Sequence, residues 1–366
     1  MADLRALNET RWPPPPSPST IHNVQEAMAS RQWTGGRYTR EAEDALCEVT
    51  GAPYAVAFQS CTAAIHAALL ASGARAGTPL HTPAFGFAGT LTGAAHIGME
   101  LVYHDVHGGT GNSIDPEAPD GTIVLTPDLH GVPHTLDRST VITDACQSLG
   151  TTINGKPIGA EGTHCWSFSS SKLIAAPDGG AVTTDDRTLA DVLRQLRDYG
   201  AEPGAARANA LITRPGHNWR PSELSMAIVA DQLRRLPVLA ARAQETGERV
   251  QTALRETGLW HQETADGVEP AWHKLRTGLP GRARSGLLRL ALTDLGMPWH
   301  DWGTHPLPQH PQFWPSHRNP EPVIETASAL AARTFCLGTE ACPPWTWTTG
   351  ETELVCAILD MITETL

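Results

Sequence analysis

Short apolar runs alternate with stretches of helical periodicity from residue 54 to residue 184. Strands are expected at 54–58, 80–82, 101–103, 122–126, 140–142, 163–168 and 180–184, bounded by Gly, Pro, Asp and Ser. Between the first two, residues 60–70 read as a capped helix ending near Gly73. Strands that alternate with helices pair in parallel, in a sheet covered on both faces. Ligands of such sheets gather at the carboxyl ends of the strands. Ahead of this region, residues 12–18 form a polyproline arm packed on its own protein. Helices are expected at 21–31, with Thr20 as its cap, and at 41–50, stopped by Gly51, with a turn at 33–38 between them. Helices at 189–199 and 222–236 flank a polar loop, 200–217. The last third predicts a helix at 240–257, strands at 273–275 and 287–292, and helices at 324–334 and 351–365.

Composition narrows the function classes. The chain has 366 residues, 40% hydrophobic and 18% charged, an ordinary globular mixture long enough for one large and one smaller domain. A net charge of −12 with no basic tract argues against nucleic acid and anionic membrane as partners. No apolar run is long enough to span a bilayer, and residues 1–11 carry acids without an apolar core, unlike a signal peptide. Seven cysteines, an odd number without a CxxC pair, read as reduced thiols of a cytoplasmic protein and not as a zinc site. His300, His305 and His310 fall in a Pro- and Trp-rich stretch that reads as a loop, not a metal centre.

Two short segments carry chemistry. The run Val141-Ile142-Thr143-Asp144-Ala145-Cys146-Gln147 delivers a carboxylate to the end of an apolar strand. One strand later, Trp166-Ser167-Phe168-Ser169-Ser170-Ser171-Lys172 puts a lysine in a serine-rich turn. Pyridoxal phosphate needs both groups: a lysine amine to hold it as a Schiff base, and an aspartate to keep its pyridinium nitrogen protonated. Alone, Asp144 reads as a helix cap, Lys172 as a surface lysine and Phe87 as core; their joint spacing with Gln147 and Ser167 carries the reading. Upstream, Gln59-Ser60-Cys61-Thr62-Ala63 opens a helix whose free N–H groups make a phosphate site. Phe87 follows a strand end, and Asp178-Gly179-Gly180 follows the lysine turn.

This series resembles the DegT-type (DnrJ/StrS-like) sugar aminotransferase family, of pyridoxal-phosphate fold type I, over about residues 33–236 and weakly through His305-Pro306-Leu307. The matching motifs are Ser60-Cys61-Thr62-Ala63-Ala64, Asp144-Ala145-Cys146-Gln147, Ser167 to Lys172, Asn218-Trp219-Arg220-Pro221-Ser222-Glu223 and Gln232-Leu233. The resemblance implies an α/β fold with a mixed, mostly parallel seven-stranded sheet and a smaller α+β C-terminal domain. The division is residues 1–32 as arm and helix, 33–236 as the cofactor domain and 237–366 as the small domain. It implies that Lys172 forms the Schiff base and shuttles the proton, that Asp144 pairs with the pyridinium nitrogen and that Gln147 bonds the phenolic oxygen. Phe87 stacks on the ring, worth about 1 kcal/mol beyond its area. Ser60, Cys61, Thr62 and Ser167 hold the phosphate. Asn218 reaches the phosphate of the neighbouring subunit, which implies a homodimer with shared active sites.

The implied reaction is ping-pong transamination, from glutamate or glutamine to a keto-sugar or keto-cyclitol in a specialised biosynthetic pathway. Several positions depart from the family pattern: Cys61 for Gly, Gly86 for Thr, Asp128-Leu129-His130-Gly131 for His-x-Tyr-Gly, and Leu173 for Asn. A thiol at a helix N-terminus such as Cys61 has either a lowered pKa or an inert, packed environment. Two alternatives stand beside transamination: dehydration, elimination or amino-acid remodelling on the same fold, and a non-catalytic regulatory or binding protein. Lys172 excludes the dehydratase branch that replaces the lysine with histidine.

Overall fold

The computed structural model describes residues 4–112, 119–136, 140–202, 210–313 and 322–363. The middle of the expected loop, 203–209, and the end of the expected last helix, 364–365, lie outside them. Helices α1 (Pro18–Ala29) and α2 (Arg37–Thr50) precede β1 (Tyr54–Phe58), α3 (Cys61–Ala71), β2 (Pro79–Pro83), α4 (Ala88–Ile97), β3 (Glu100–His104), β4 (Ile123–Pro127) and β5 (Val141–Asp144). Two short strands, β6 (Thr152–Ile153) and β7 (Lys156–Pro157), lead to β8 (Thr163–Ser167) and β9 (Gly180–Thr184). Helices α5 (Arg187–Arg197), α6 (Glu223–Leu233) and α7 (Leu236–Glu256) follow. The remainder is β10 (Val268–Glu269), β11 (Leu275–Gly278), α8 (Arg282–Asp294), β12 (Trp299–His300), α9 (Glu325–Arg333), β13 (Thr334–Leu337) and α10 (Thr349–Thr363).

The main sheet has seven strands in the order β1-β9-β8-β5-β4-β2-β3. Only β9 runs against its neighbours, and the pairs from β8 to β3 are parallel. Strands β4 and β9 are buried along their whole length, as a sheet covered on both faces requires. One apolar layer joins α3, α4 and α5 to the sheet; a second joins α2, α6 and the start of α7 to its other face. A second, antiparallel sheet, β11-β13-β12, forms the smaller α+β unit. Its core unites Leu275, Leu288, Leu292, Phe335 and Leu337 with residues of α7 and α10. No helix among the described residues is long and apolar enough to cross a membrane.

Local chemistry explains where the observed elements depart from expectation. Residues 287–292 form no strand: they lie in α8, where Leu288 and Leu292, four apart, face the core while Leu287 and Leu290 are exposed. Helix α1 begins at Pro18 and is capped by Ser17, whose hydroxyl accepts from the Thr20 amide at 3.1 Å. Thr20 instead donates to Asp231 at 2.5 Å. Helix α2 begins at Arg37, inside the expected turn. Helix α4, rich in Ala, Gly and Thr, was not anticipated. The N-terminal arm does pack on its own protein: Trp12 is buried edge-on against Trp345, with ring centroids 5.9 Å apart.

Candidate active site

Parallel pairing places β5 beside β8, with Asp144 opposite Cys165, so Asp144 and Ser167 end at one edge of the sheet. The chain then turns back at once. The Lys172 amide donates to the Ser169 carbonyl at 3.0 Å, and the Ala176 amide to the Phe168 carbonyl at 2.8 Å. Two distant side chains pin this turn. Trp12 Nε1 donates to the Lys172 carbonyl at 2.9 Å, and the Gln232 amide grips both backbone groups of Ala175, at 2.9 and 2.5 Å. Lys172 Nζ comes within 3.9 Å of Cys146 Sγ.

Asp144 is buried, and both carboxylate oxygens are engaged: Thr90 donates to Oδ2 at 2.6 Å and the Cys146 amide to Oδ1 at 3.3 Å. Gln147 Oε1 accepts the His130 amide at 2.7 Å, which leaves the Gln147 NH2 as its free polar end. His130 adopts a left-handed φ of 62°, strained for a side chain of that size.

Helix α3 points its N-terminus at the same cavity. Ser60 is its cap, accepting from the Ala63 amide at 3.2 Å, and the N–H groups of Cys61 and Thr62 begin the helix. Strand β9 passes so close that a Cβ on Gly180 would lie 2.3 Å from the Cys61 nitrogen; only glycine fits there. Phe87, 58% exposed, turns its ring back over Gly89 instead of into the core. The cavity, about 270 Å³, is lined by Ser60, Cys61, Thr62, Phe87, Asp144, Gln147, Ser167 and Lys172. These donors fit pyridoxal phosphate: a helix N-terminus with hydroxyls for the phosphate, a carboxylate for the ring nitrogen, an amide for the phenolic oxygen and an amine for the aldehyde.

Asn218 is the one expected site residue that this chain does not bring to the cavity; it is exposed, bridged to Asp198. Cys61 is the packed, inert case: burial pushes its thiol well above the usual range, with Asp144 adding to the shift. Cys146 is raised for the same two reasons. Sequence reasoning missed Thr90, His273, Lys274, Trp302 and Glu340, which also line the cavity. Thr90 went unseen because α4 was unseen; the others come from three separated segments with no local spacing to mark them. Burial holds His273 and His130 well below the usual imidazole range, so both are neutral.

A mostly parallel sheet that delivers an aspartate and a lysine to one edge, facing a helix N-terminus, defines a fold-type-I pyridoxal phosphate enzyme. The sequence profile of the DegT/DnrJ/EryC1/StrS aminotransferase family matches residues 17–124 and 135–344. The chain belongs to that family, and so to the pyridoxal-phosphate-dependent aminotransferases. Solved structures share the fold. DesV of S. venezuelae, in complex with a ketimine intermediate, is 22% identical, with a TM-score of 0.84 over 100% of this chain and 98% of its own. An aminotransferase from Psychrobacter cryohalolentis is 24% identical, with a TM-score of 0.84 over 97% and 98%. The E. coli GDP-4-keto-6-deoxy-D-mannose-3-dehydratase, with hydrated pyridoxal phosphate bound, is 21% identical, with a TM-score of 0.80 over 94% and 97%.

Proposed function

We propose that the enzyme moves an amino group from glutamate or glutamine to a keto-sugar or keto-cyclitol, in a specialised biosynthetic pathway of the cytoplasm. The observation that carries this reading is the convergence of Lys172, Asp144 and Gln147 on one cavity at the N-terminus of α3. Bound there, pyridoxal phosphate supplies an electron sink for the carbon that loses its proton. Lys172 Nζ takes that proton from the substrate Cα and returns it across the cofactor face. Asp144, fixed by Thr90 and the Cys146 amide, holds the proton on the ring nitrogen. Gln147 orients the phenolic oxygen through its NH2. Ser60, Cys61, Thr62 and Ser167 bind the phosphate, and Phe87 covers the ring and excludes water. Asn218, exposed and away from its own cavity, completes the phosphate site of a second copy in a homodimer.

Retention of Lys172 argues against the dehydratase branch that replaces the lysine with histidine, and a regulatory scaffold would have no use for the three polar groups together. The test is the visible spectrum of the protein with pyridoxal phosphate, before and after L-glutamate and L-glutamine. Loss of the lysine-bound band with release of the 2-oxo acid supports the reading and names the donor. A band indifferent to both donors refutes transamination. Absence of a band in the wild type, or its persistence in Lys172→Ala, refutes the role of Lys172.

A further inference from the structure

We infer that Lys274 is a substrate-binding residue, its ammonium receiving the carboxylate of the amino-acid donor in the cavity that holds Lys172. This deepens the proposed function and rests on it. Lys274 immediately precedes β11, is almost fully buried, and lines the cavity. Its partners are incomplete. His300 Nδ1 lies 2.8 Å from the Gly338 carbonyl, so that nitrogen bears the hydrogen and Nε2 is left as an acceptor. Lys274 Nζ donates to this Nε2 at 3.1 Å. Among the described residues its one ion-pair partner, Glu340, is 3.5 Å away and 61% exposed, a long and solvent-screened contact. An ammonium carries three donors, and the partners among the described residues account for fewer.

Charge accounting then assigns the group. Among the described residues the cavity has two lysines and no arginine, and its histidine, His273, is neutral. Lys172 is used in bonding the cofactor, and Asp144, Asp178 and Glu340 are all acids. Among this chain's described residues, a donor carboxylate entering the cavity therefore has one cation to meet. Burial lowers the pKa of Lys274, so a buried carboxylate partner also relieves the cost of its charge. Glu340, on the exposed side, is the partner that gives way.

The test compares the wild-type holoenzyme with Lys274→Met and Glu340→Gln. Calorimetry reads the binding of glutarate, a dicarboxylate that cannot react, with inorganic phosphate as a second probe; spectral titration with L-glutamate reads the donor. Lys274→Met is expected to keep the visible cofactor band and weaken both glutarate and glutamate by about tenfold or more, the scale of one charged hydrogen bond. Glu340→Gln, at an exposed position, is expected to tighten glutarate by removing a competitor. Glutarate binding unchanged in Lys274→Met, or weakened in Glu340→Gln, overturns the inference. Phosphate bound in preference to glutarate, and lost with Lys274, overturns the carboxylate assignment. A wild type that binds glutarate through Lys274 but shows no spectral response to either amino acid separates failure of the proposed reaction from failure of this site.

Discussion

Glu223 closes the Asn218-to-Glu223 motif, yet it touches nothing in the cavity. It is the first residue of α6, is buried, and caps α2 from across the helix pair. Gly36, the N-cap of α2, has no side chain to serve the first turn. Glu223 supplies what is missing. Its Oε1 accepts the amides of Gly36 at 2.8 Å and Thr39 at 3.0 Å, with the Thr39 hydroxyl as a further donor; its Oε2 accepts the Tyr38 amide at 2.8 Å. Removing one charged hydrogen bond and orphaning its buried partner costs about 1.5–3 kcal/mol, and the helix dipole adds up to about 1 more. Glu223→Gln keeps the volume but turns an NH2 toward an N–H and loses the charge, so a loss of about 2–3 kcal/mol is expected. Glu223→Ala orphans all three amides and is expected to cost about 4 kcal/mol or more, less than the sum because the end of α2 can fray.

A second substitution isolates the contact. A Cβ on Gly36 would lie 2.6 Å from Glu223 Oε2, while its φ of −98° suits any residue. Gly36→Ala is therefore expected to cost about 1–2 kcal/mol in the wild type and close to nothing in Glu223→Ala. Urea unfolding of the wild type, the three single variants and the Gly36→Ala/Glu223→Ala double variant, followed by circular dichroism, measures both terms. A Glu223→Gln protein within about 0.5 kcal/mol of wild type, or a Gly36→Ala cost that survives in Glu223→Ala, would refute the capping argument.

Three further outcomes follow from single groups. Arg11, paired at 2.7 Å, holds Glu351 down at about 2 from 4.5; this contribution to stability is present above pH 4.5 and is lost as pH falls toward 2, so Glu351→Gln should flatten the acid limb of a stability–pH curve. Burial raises Asp128 from 3.8 to about 6; its stabilising, protonated form is lost as pH rises through 6, and Asp128→Asn, whose oxygen accepts the His134 amide while its NH2 donates to a Ser148 hydroxyl turned to the Ala145 carbonyl, should be the more stable protein at pH 8 in thermal melts. Gly180→Ala would press a Cβ against the backbone of Ser60 and Cys61 and should weaken pyridoxal phosphate binding by about tenfold or more in a fluorescence titration, one charged contact to the phosphate being worth that much.

The sheet and the meeting of Asp144 with Lys172 at one cavity were legible because each is written in a contiguous stretch. Asp144 ends an apolar run and Lys172 follows the next, so parallel pairing alone brings them together. Ser60 caps a helix that starts at the very next residue, and its location needed no tertiary information. Residues 287–292 misled because an exposed face bearing Leu287 and Leu290 hides the 3.6-residue period of α8. Cap identity misled because Pro18, well suited to the first helical position, starts α1 earlier and makes Ser17 the cap, which leaves Thr20 inside the first turn. Lys274, Trp302 and Glu340 were invisible for a deeper reason, since a cavity wall assembled from three segments has no sequence period at all.

The motif residues that do not line the cavity determine how well those that do are aimed. Gln232 and Trp12, 60 and 160 positions from Lys172, hold the backbone of the lysine turn at Ala175 and at the Lys172 carbonyl. Glu223 fixes α6 against α2, and α6 carries Gln232. An amine that must move one proton between two carbon atoms gains nothing from a flexible tether; an error of about 0.5 Å at such a group is already damaging. The stretch from Glu223 to Gln232-Leu233 therefore reads as a brace for the lysine turn.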